Sequence, residues 1–209
     1  MTTRATRLAP LTVLLFVGLF VASIAVGGKL PTGTAKPSEV IAFYTSHRRA
    51  VQLSSFLQMF AMVAGLFFFG TLRAFLRRDN ATERLASICF SGGILLAASG
   101  CIGAGTKLAL AHSPKQLLPA TAQTLNLLRS DMHTFLTAAG VAVLMFASGL
   151  AILRSGLAAA WLGWLSLAIG LLGLIAGPVV LLIVVLWAVA LSVVMLRQGT
   201  PTPRSDLPV

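Results

Sequence analysis

The sequence predicts an all-α protein: a polytopic transmembrane helical bundle of six spans, with short outer-face helices in its two long loops. Two observations lead there. Of 209 residues, 57% are hydrophobic and only 10% are charged, where soluble domains carry about a quarter charged residues. Long apolar runs also alternate with shorter stretches that collect the charged residues and most of the prolines. A hydrocarbon layer about 30 Å thick needs roughly 20 apolar residues at about 1.5 Å each. Backbone in lipid must satisfy its own hydrogen bonds, which leaves helices or closed barrels. The run from Val179 to Leu191 is apolar at every position, and this excludes the alternating strands of a barrel.

The expected spans are about 9–28, 51–72, 85–105, 132–153, 157–177 and 178–196, forming one membrane domain over 1–196. The first follows Arg4 and Arg7 and ends near Gly27 and Gly28. It has the outline of a signal peptide, but its apolar stretch is at the long end for one, so a retained span is the preferred reading. Spans five and six form a tight hairpin, broken only at Ala176-Gly177-Pro178, because Pro suits the first position of a helix. Pro201, Thr202, Pro203 and Pro208 mark residues 197–209 as a disordered cytoplasmic tail.

An even number of spans places both termini on one side. Arg4, Arg7, Arg73, Arg77, Arg78, Arg84, Arg154, Arg197 and Arg204 share that side, while Lys29, Lys36, Arg48, Arg49, Lys107, Lys115 and Arg129 fall in two longer loops on the other. The denser side is cytoplasmic by the positive-inside bias. Both termini are therefore expected in the cytoplasm. The net charge of +11 is scattered over loops and helix ends, so anionic lipid fits as a partner better than nucleic acid.

Two stretches share an organisation: Pro37 to Arg73 and Pro119 to Arg154. Each opens with Pro, passes through a mildly polar segment with His and Arg, enters an apolar span and ends in Leu-Arg. This resembles a parallel duplication offset by about 82 residues, though membrane composition alone also generates such matches. Ser38 can cap a helix over 37–50, lying at the outer interface or extending span two.

At about 100° per residue, His47, Ser54, Gln58 and Gly65 fall on one helix face, as do Asn126, His133, Thr137 and Gly140. If both faces turn inward, the outer half of the bundle holds a polar cavity lined by two histidines. His47, Ser54, Gln58, Asn126, Asp131, His133 and Thr137 are then the candidate ligand-binding residues. Ordinary helix packing explains the same stripes, since Ser, Thr and Gln in spans hydrogen-bond neighbouring helices at about 0.6 kcal/mol, and boundary charges meet headgroups. A haem or a zinc ion between His47 and His133 is conceivable, with His112, Glu39 and Asp131 as further zinc ligands. No attachment motif or ligand spacing supports either, so the expected cofactor is none. Arg48 and Arg49 on the outer side, and Arg73, Arg77, Arg78 and Arg84 on the inner, are placed to contact lipid headgroups.

Cys89 and Cys101 are about 18 Å apart along one helix and cannot bridge within it. Gly93, Ala97, Ser99, Gly100 and Gly103 on span three, with Gly163, Gly170, Gly173 and Gly177 on span five, mark close-packing faces that could serve the bundle, a homo-oligomer or a partner membrane protein. Trp161 and Trp164 suit the inner interface, whereas Trp187 near the middle of span six packs against a neighbour or lipid.

An Arg-preceded first span, Glu-Val-Ile-Ala-Phe-Tyr-x-x-His-Arg at 39–48 and Trp-Leu-Gly-Trp-Leu at 161–165 together resemble small, uncharacterised actinobacterial integral membrane proteins. The resemblance covers most of the chain and implies a bacterial inner (plasma) membrane location, multi-pass with both termini cytoplasmic; it brings no activity or catalytic residue. The expected function is a binding or accessory protein with a small-ligand or lipid site in the outer half of the bundle. A small transporter or channel is the alternative, disfavoured because below Gly65 and Gly140 only Thr71 and Ser148 continue the polar faces. A membrane-embedded enzyme ranks third, with acid–base candidates at His47, His133 and Asp131 but no nucleophile or metal triad.

Overall fold

Apolar helices packed side by side make up the computed structural model, which describes residues 12–176 and 180–198. Among these there is no strand, and seven α-helices follow in order: α1 (Thr12–Gly27), α2 (Pro37–Ser46), α3 (Arg48–Leu76), α4 (Glu83–His112), α5 (Pro119–Ser155), α6 (Ala160–Ala176) and α7 (Leu181–Gln198). Short 3₁₀ turns over Asn80–Thr82 and Pro114–Gln116 join α3 to α4 and α4 to α5. Three stretches are long and apolar enough to cross a membrane: Arg48–Leu76, Asn80–His112 and Pro119–Ser155. Thr12–Gly27, Ala160–Ile175 and Leu181–Arg197 are shorter apolar helices.

The helices differ from the expected spans mainly by extending further at the end that carries α2. α4 continues past residue 105 to His112, so Lys107 belongs to a helix and not to a loop. The polar segment after Pro119 is continuous with the apolar one, giving a single helix of 37 residues. The related segment after Pro37 is instead broken at His47, whose backbone (φ −107°, ψ 19°) ends α2 and starts α3. The two similar stretches thus differ in form. The expected break at Gly177-Pro178 and the tail beyond Gln198 lie outside the described residues, while Arg197 and Gln198 close α7.

α4 is the central element, sandwiched between α3 and α5, which scarcely touch each other. Helices in lipid gain nothing from the hydrophobic effect on meeting, so close contact and small residues decide which faces pair. A Cβ on Gly92 would lie 2.5 Å from the Leu144 backbone nitrogen, and one on Gly140 would lie 2.8 Å from that of Leu96. The α4 and α5 backbones approach at these two positions. On the α3 side, Gly93 faces Phe69 and Gly100 faces Met62. Gly149, Gly163, Gly170 and Gly173 close the α5–α6 contact in the same way, which assigns those α6 glycines to packing within the chain. Trp187 of α7 is buried, and its indole N–H donates to Ser166 Oγ of α6 at 2.8 Å.

Phe56, Phe60, Phe67, Phe135, Ile175 and Leu186 are exposed on the outside of the bundle, a surface suited to lipid and costly in water. A second, smaller core at one end unites Val40 and Tyr44 of α2 with Val51, Leu110, Ala111 and Ala122. It seats α2 against α4 and α5.

Candidate functional site

Four helices bring polar side chains together in the half of the bundle nearest α2. Lys107 of α4 is only 6% exposed. Its ammonium donates to Gln58 Oε1 at 2.6 Å and to Ser54 Oγ at 3.2 Å, both on α3. Gln58 Nε2 in turn donates to the Gly100 carbonyl of α4 at 3.0 Å, and the Ser54 hydroxyl donates to the Ser23 carbonyl of α1 at 2.8 Å. Both ends of the Gln58 amide are therefore engaged, which defines its orientation.

The face of α4 toward α5 carries a second set. Ser99 Oγ lies 2.8 Å from Thr137 Oγ1, 3.1 Å from His133 Nδ1 and 3.2 Å from the His133 carbonyl. A Cβ at Gly103 would stand 3.4 Å from His133 Nδ1 and 3.7 Å from Gln58 Nε2. Gly103 therefore lies between the two sets, and its missing side chain lets both close on α4.

Gln58, His133 and Thr137 line one side of a partly enclosed cavity of about 20 Å³, room for about one water or one methyl group. Phe16 and Phe20 of α1, Met62, Leu96, and Leu181, Val184 and Val185 of α7 complete the lining. The result is an almost wholly apolar slot between α1 and α7.

Nearer α2, α5 fastens the loop that follows α1. Asn126 Nδ2 donates to the Thr32 carbonyl at 2.6 Å, Arg129 to the Pro31 carbonyl at 2.6 Å, and Gln123 Nε2 to the Gly33 carbonyl at 3.2 Å. Arg129 also donates to Asn126 Oδ1 at 3.2 Å, and it lies within electrostatic reach of Tyr44, Lys107 and His133. The Tyr44 side chain is fully buried, and its hydroxyl has no hydrogen-bond partner among the described residues. Burial pushes that phenol's pKa up, with the Arg129 charge opposing.

Of the residues expected at the site, the fold gathers Ser54, Gln58, His133 and Thr137 around α4. Asn126 shares their burial but holds the loop. Asp131 is exposed. His47 is exposed as well, its ring stacked on Phe43 at 4.6 Å and its Nδ1 2.8 Å from Ser46 Oγ. The cavity is lined by His133 and not by His47. No cluster of three His, Cys, Asp or Glu side chains occurs among the described residues. Arg48, Arg49, Arg77, Arg78 and Arg84 are exposed and Arg73 is half-buried; Arg77 also pairs with Glu83, Arg73 lies over the Phe90 ring and Arg78 over Phe75.

Sequence reasoning assigned Lys107 to a loop and Ser99 to packing. Ser99, Gly103 and Lys107 recur every four residues on α4, and that spacing is the signal that could have revealed the face. Searches of protein-family models, curated proteins and solved structures return no match.

Proposed function

We propose that this chain is a six-span protein of the bacterial plasma membrane, with cytoplasmic termini, that binds an amphiphilic ligand in the outer half of its bundle. The carrying observation is the slot between α1 and α7, apolar over nearly all of its surface. An apolar enclosure of that kind receives the hydrocarbon part of an amphiphile. The slot's small volume takes only the end of the hydrocarbon chain.

The test uses a hexadecyl probe carrying a diazirine near the end of its hydrocarbon chain, irradiated with the purified protein in detergent. Labelling should concentrate on α1 and α7 and should fall at least severalfold in Val184→Phe, which fills the slot. Unlabelled wild-type protein, or equal labelling of the folded variant, would overturn the reading. Reporter fusions at both ends test the topology separately: external reporter activity at either terminus contradicts it.

A further inference from the structure

We infer that the end of the bundle carrying α2 holds a second site, separate from the slot, which binds the phosphate of an anionic membrane phospholipid between Arg48 and Lys115. It rests on the membrane reading above and not on the slot or what fills it.

A partly open cavity of about 410 Å³ lies where α2 gives way to α3 and the turn Pro114–Gln116 packs beside them. That is ample for a phosphate group, and within the ordinary range of small-molecule sites. Thr45, Arg48, Ser113, Pro114, Lys115 and Gln116 line it, so both of its charged residues are cations and no carboxylate stands in its wall. The two cations have no counter-charge of their own. Among the described residues the only ion pair joins Arg77 to Glu83 at the far end of α3 and α4. The Ser113 hydroxyl does not cap the turn it precedes, and with the Gln116 amide it adds neutral hydrogen-bonding groups to the same wall.

The walls are fixed by the small core beneath them. Pro114 is buried, Leu110 and Ala111 before the turn and Leu117 after it pack with Tyr44 and Val51, and these last two flank Thr45 and Arg48 in sequence. Arg48 and Lys115 are thus held on separate elements around one space. Arg48 also opens a helix of 29 residues whose first turn has no acidic residue and no side-chain cap. A helix start carries partial positive charge, so Arg48 and Arg49 add like charge to like there, and an anion seated in the cavity relieves the repulsion. A guanidinium fork and an ammonium are the usual pair of phosphate-binding cations. A lipid supplies that phosphate because of what lies next to the cavity. Leu53, Phe56 and Phe60 of α3, about 8 to 18 Å beyond Arg48 along the helix, are exposed, and acyl chains below the headgroup run along them. Leu118, two residues past Gln116, is exposed as well. The cationic part of a zwitterionic headgroup would meet two like charges and no carboxylate in this wall, which selects lipids of net negative charge.

The experiment measures binding of three probes to the full chain in uncharged detergent: dihexanoylphosphatidylglycerol, dihexanoylphosphatidylcholine and glycerol 3-phosphate. The glycerol lipid should bind at least about tenfold more tightly than the choline lipid. Arg48 and Lys115 are both exposed, so the double variant Arg48→Gln, Lys115→Gln should fold, and it should bring the two lipids within about twofold of each other. Lys115→Arg should keep the preference. Arg84→Gln removes an exposed charge at the far end and should keep it too; a loss as large as the double variant's would mean that net charge alone attracts the lipid, and would overturn the site. Equal binding of the two lipids to the wild type, or a preference that survives the double variant, overturns it as well. Glycerol 3-phosphate bound as tightly as the glycerol lipid supports the phosphate site and overturns the membrane as its source. Val184→Phe separates this site from the slot: the preference should persist in that variant, and its loss would show that the headgroup is held elsewhere.

Discussion

Lys107 Nζ lies 2.6 Å from Gln58 Oε1, a contact that joins α4 to α3 across 49 residues of chain and leaves a buried cation held by an amide. The charge and its acceptor are therefore coupled in stability. Gln58→Leu leaves the ammonium with Ser54 alone and should cost about 2 kcal/mol or more, as expected for a hydrogen bond to a charged group. Lys107→Met removes the buried charge itself and should remain within about 1 kcal/mol of wild type. The double variant should recover most of what Gln58→Leu loses. Thermal unfolding in detergent, analysed as a double-mutant cycle, checks this; additive losses would mean the two side chains do not interact.

Gly92 predicts a sharp contrast among glycines. Its Cβ position is 2.5 Å from backbone of α5, whereas the space around Gly70 and Gly105 is open to beyond 4 Å. Gly92→Ala must push α4 and α5 apart and should destabilise by about 2 kcal/mol or more. Gly70→Ala and Gly105→Ala should be neutral or stabilising by about 0.5–1 kcal/mol, through helix propensity. Melting temperatures of the three variants test the comparison.

Tyr44 is the only tyrosine in the chain, so ultraviolet titration of tyrosinate reports on it alone. Burial holds its phenol above the ordinary value near 10, with Arg129 partly offsetting the effect. The unfolded chain gives up this proton near pH 10 and the folded chain retains it to higher pH. Stability contributed by the neutral phenol is therefore full below pH 10 and declines above it, toward the folded pKa. A titration midpoint at or below 10 in the folded protein would contradict the burial. Tyr44→Phe removes an unpartnered buried hydroxyl and should leave the ligand-free protein as stable as wild type or more so.

Ser166→Ala leaves the buried Trp187 indole N–H without its acceptor. The expected loss is about 1–3 kcal/mol. Trp161 and Trp164 are exposed on α6, so fluorescence from a Trp161→Phe, Trp164→Phe background isolates Trp187. An unchanged emission maximum and melting temperature in Ser166→Ala would contradict the bond.

Much of the architecture was legible because lipid imposes strict rules on a chain. Apolar length gave the helices, and the small residues on α4 and α6 marked where helices touch. Ser54, Gln58, His133 and Thr137 were legible as stripes since polar groups in apolar helices stand out. Their partners were not. The stripes on α3 and α5 were expected to face each other across one cavity, but α4 stands between them, and Ser99, Gly100 and Lys107 are what each stripe meets. His47 fell in register with its stripe, yet the break at its own backbone leaves it exposed against Phe43. Local spacing cannot register a break that depends on how α2 seats in the small core of Val51, Leu110 and Ala122.

By itself the sequence determined that the chain is helical and apolar, with polar faces on particular helices, because backbone hydrogen bonding and hydrophobic length are local properties. Only the tertiary structure decided where Lys107 belongs. In a helix that is apolar almost all round, periodicity does not say which side is covered, and a lysine near the end reads as a loop or an anchor. The direction of its Cα–Cβ bond and an amide on the neighbouring helix turn it inward. A residue's role as a buried cation is set by what stands opposite it, and that is fixed only when α3 closes on α4.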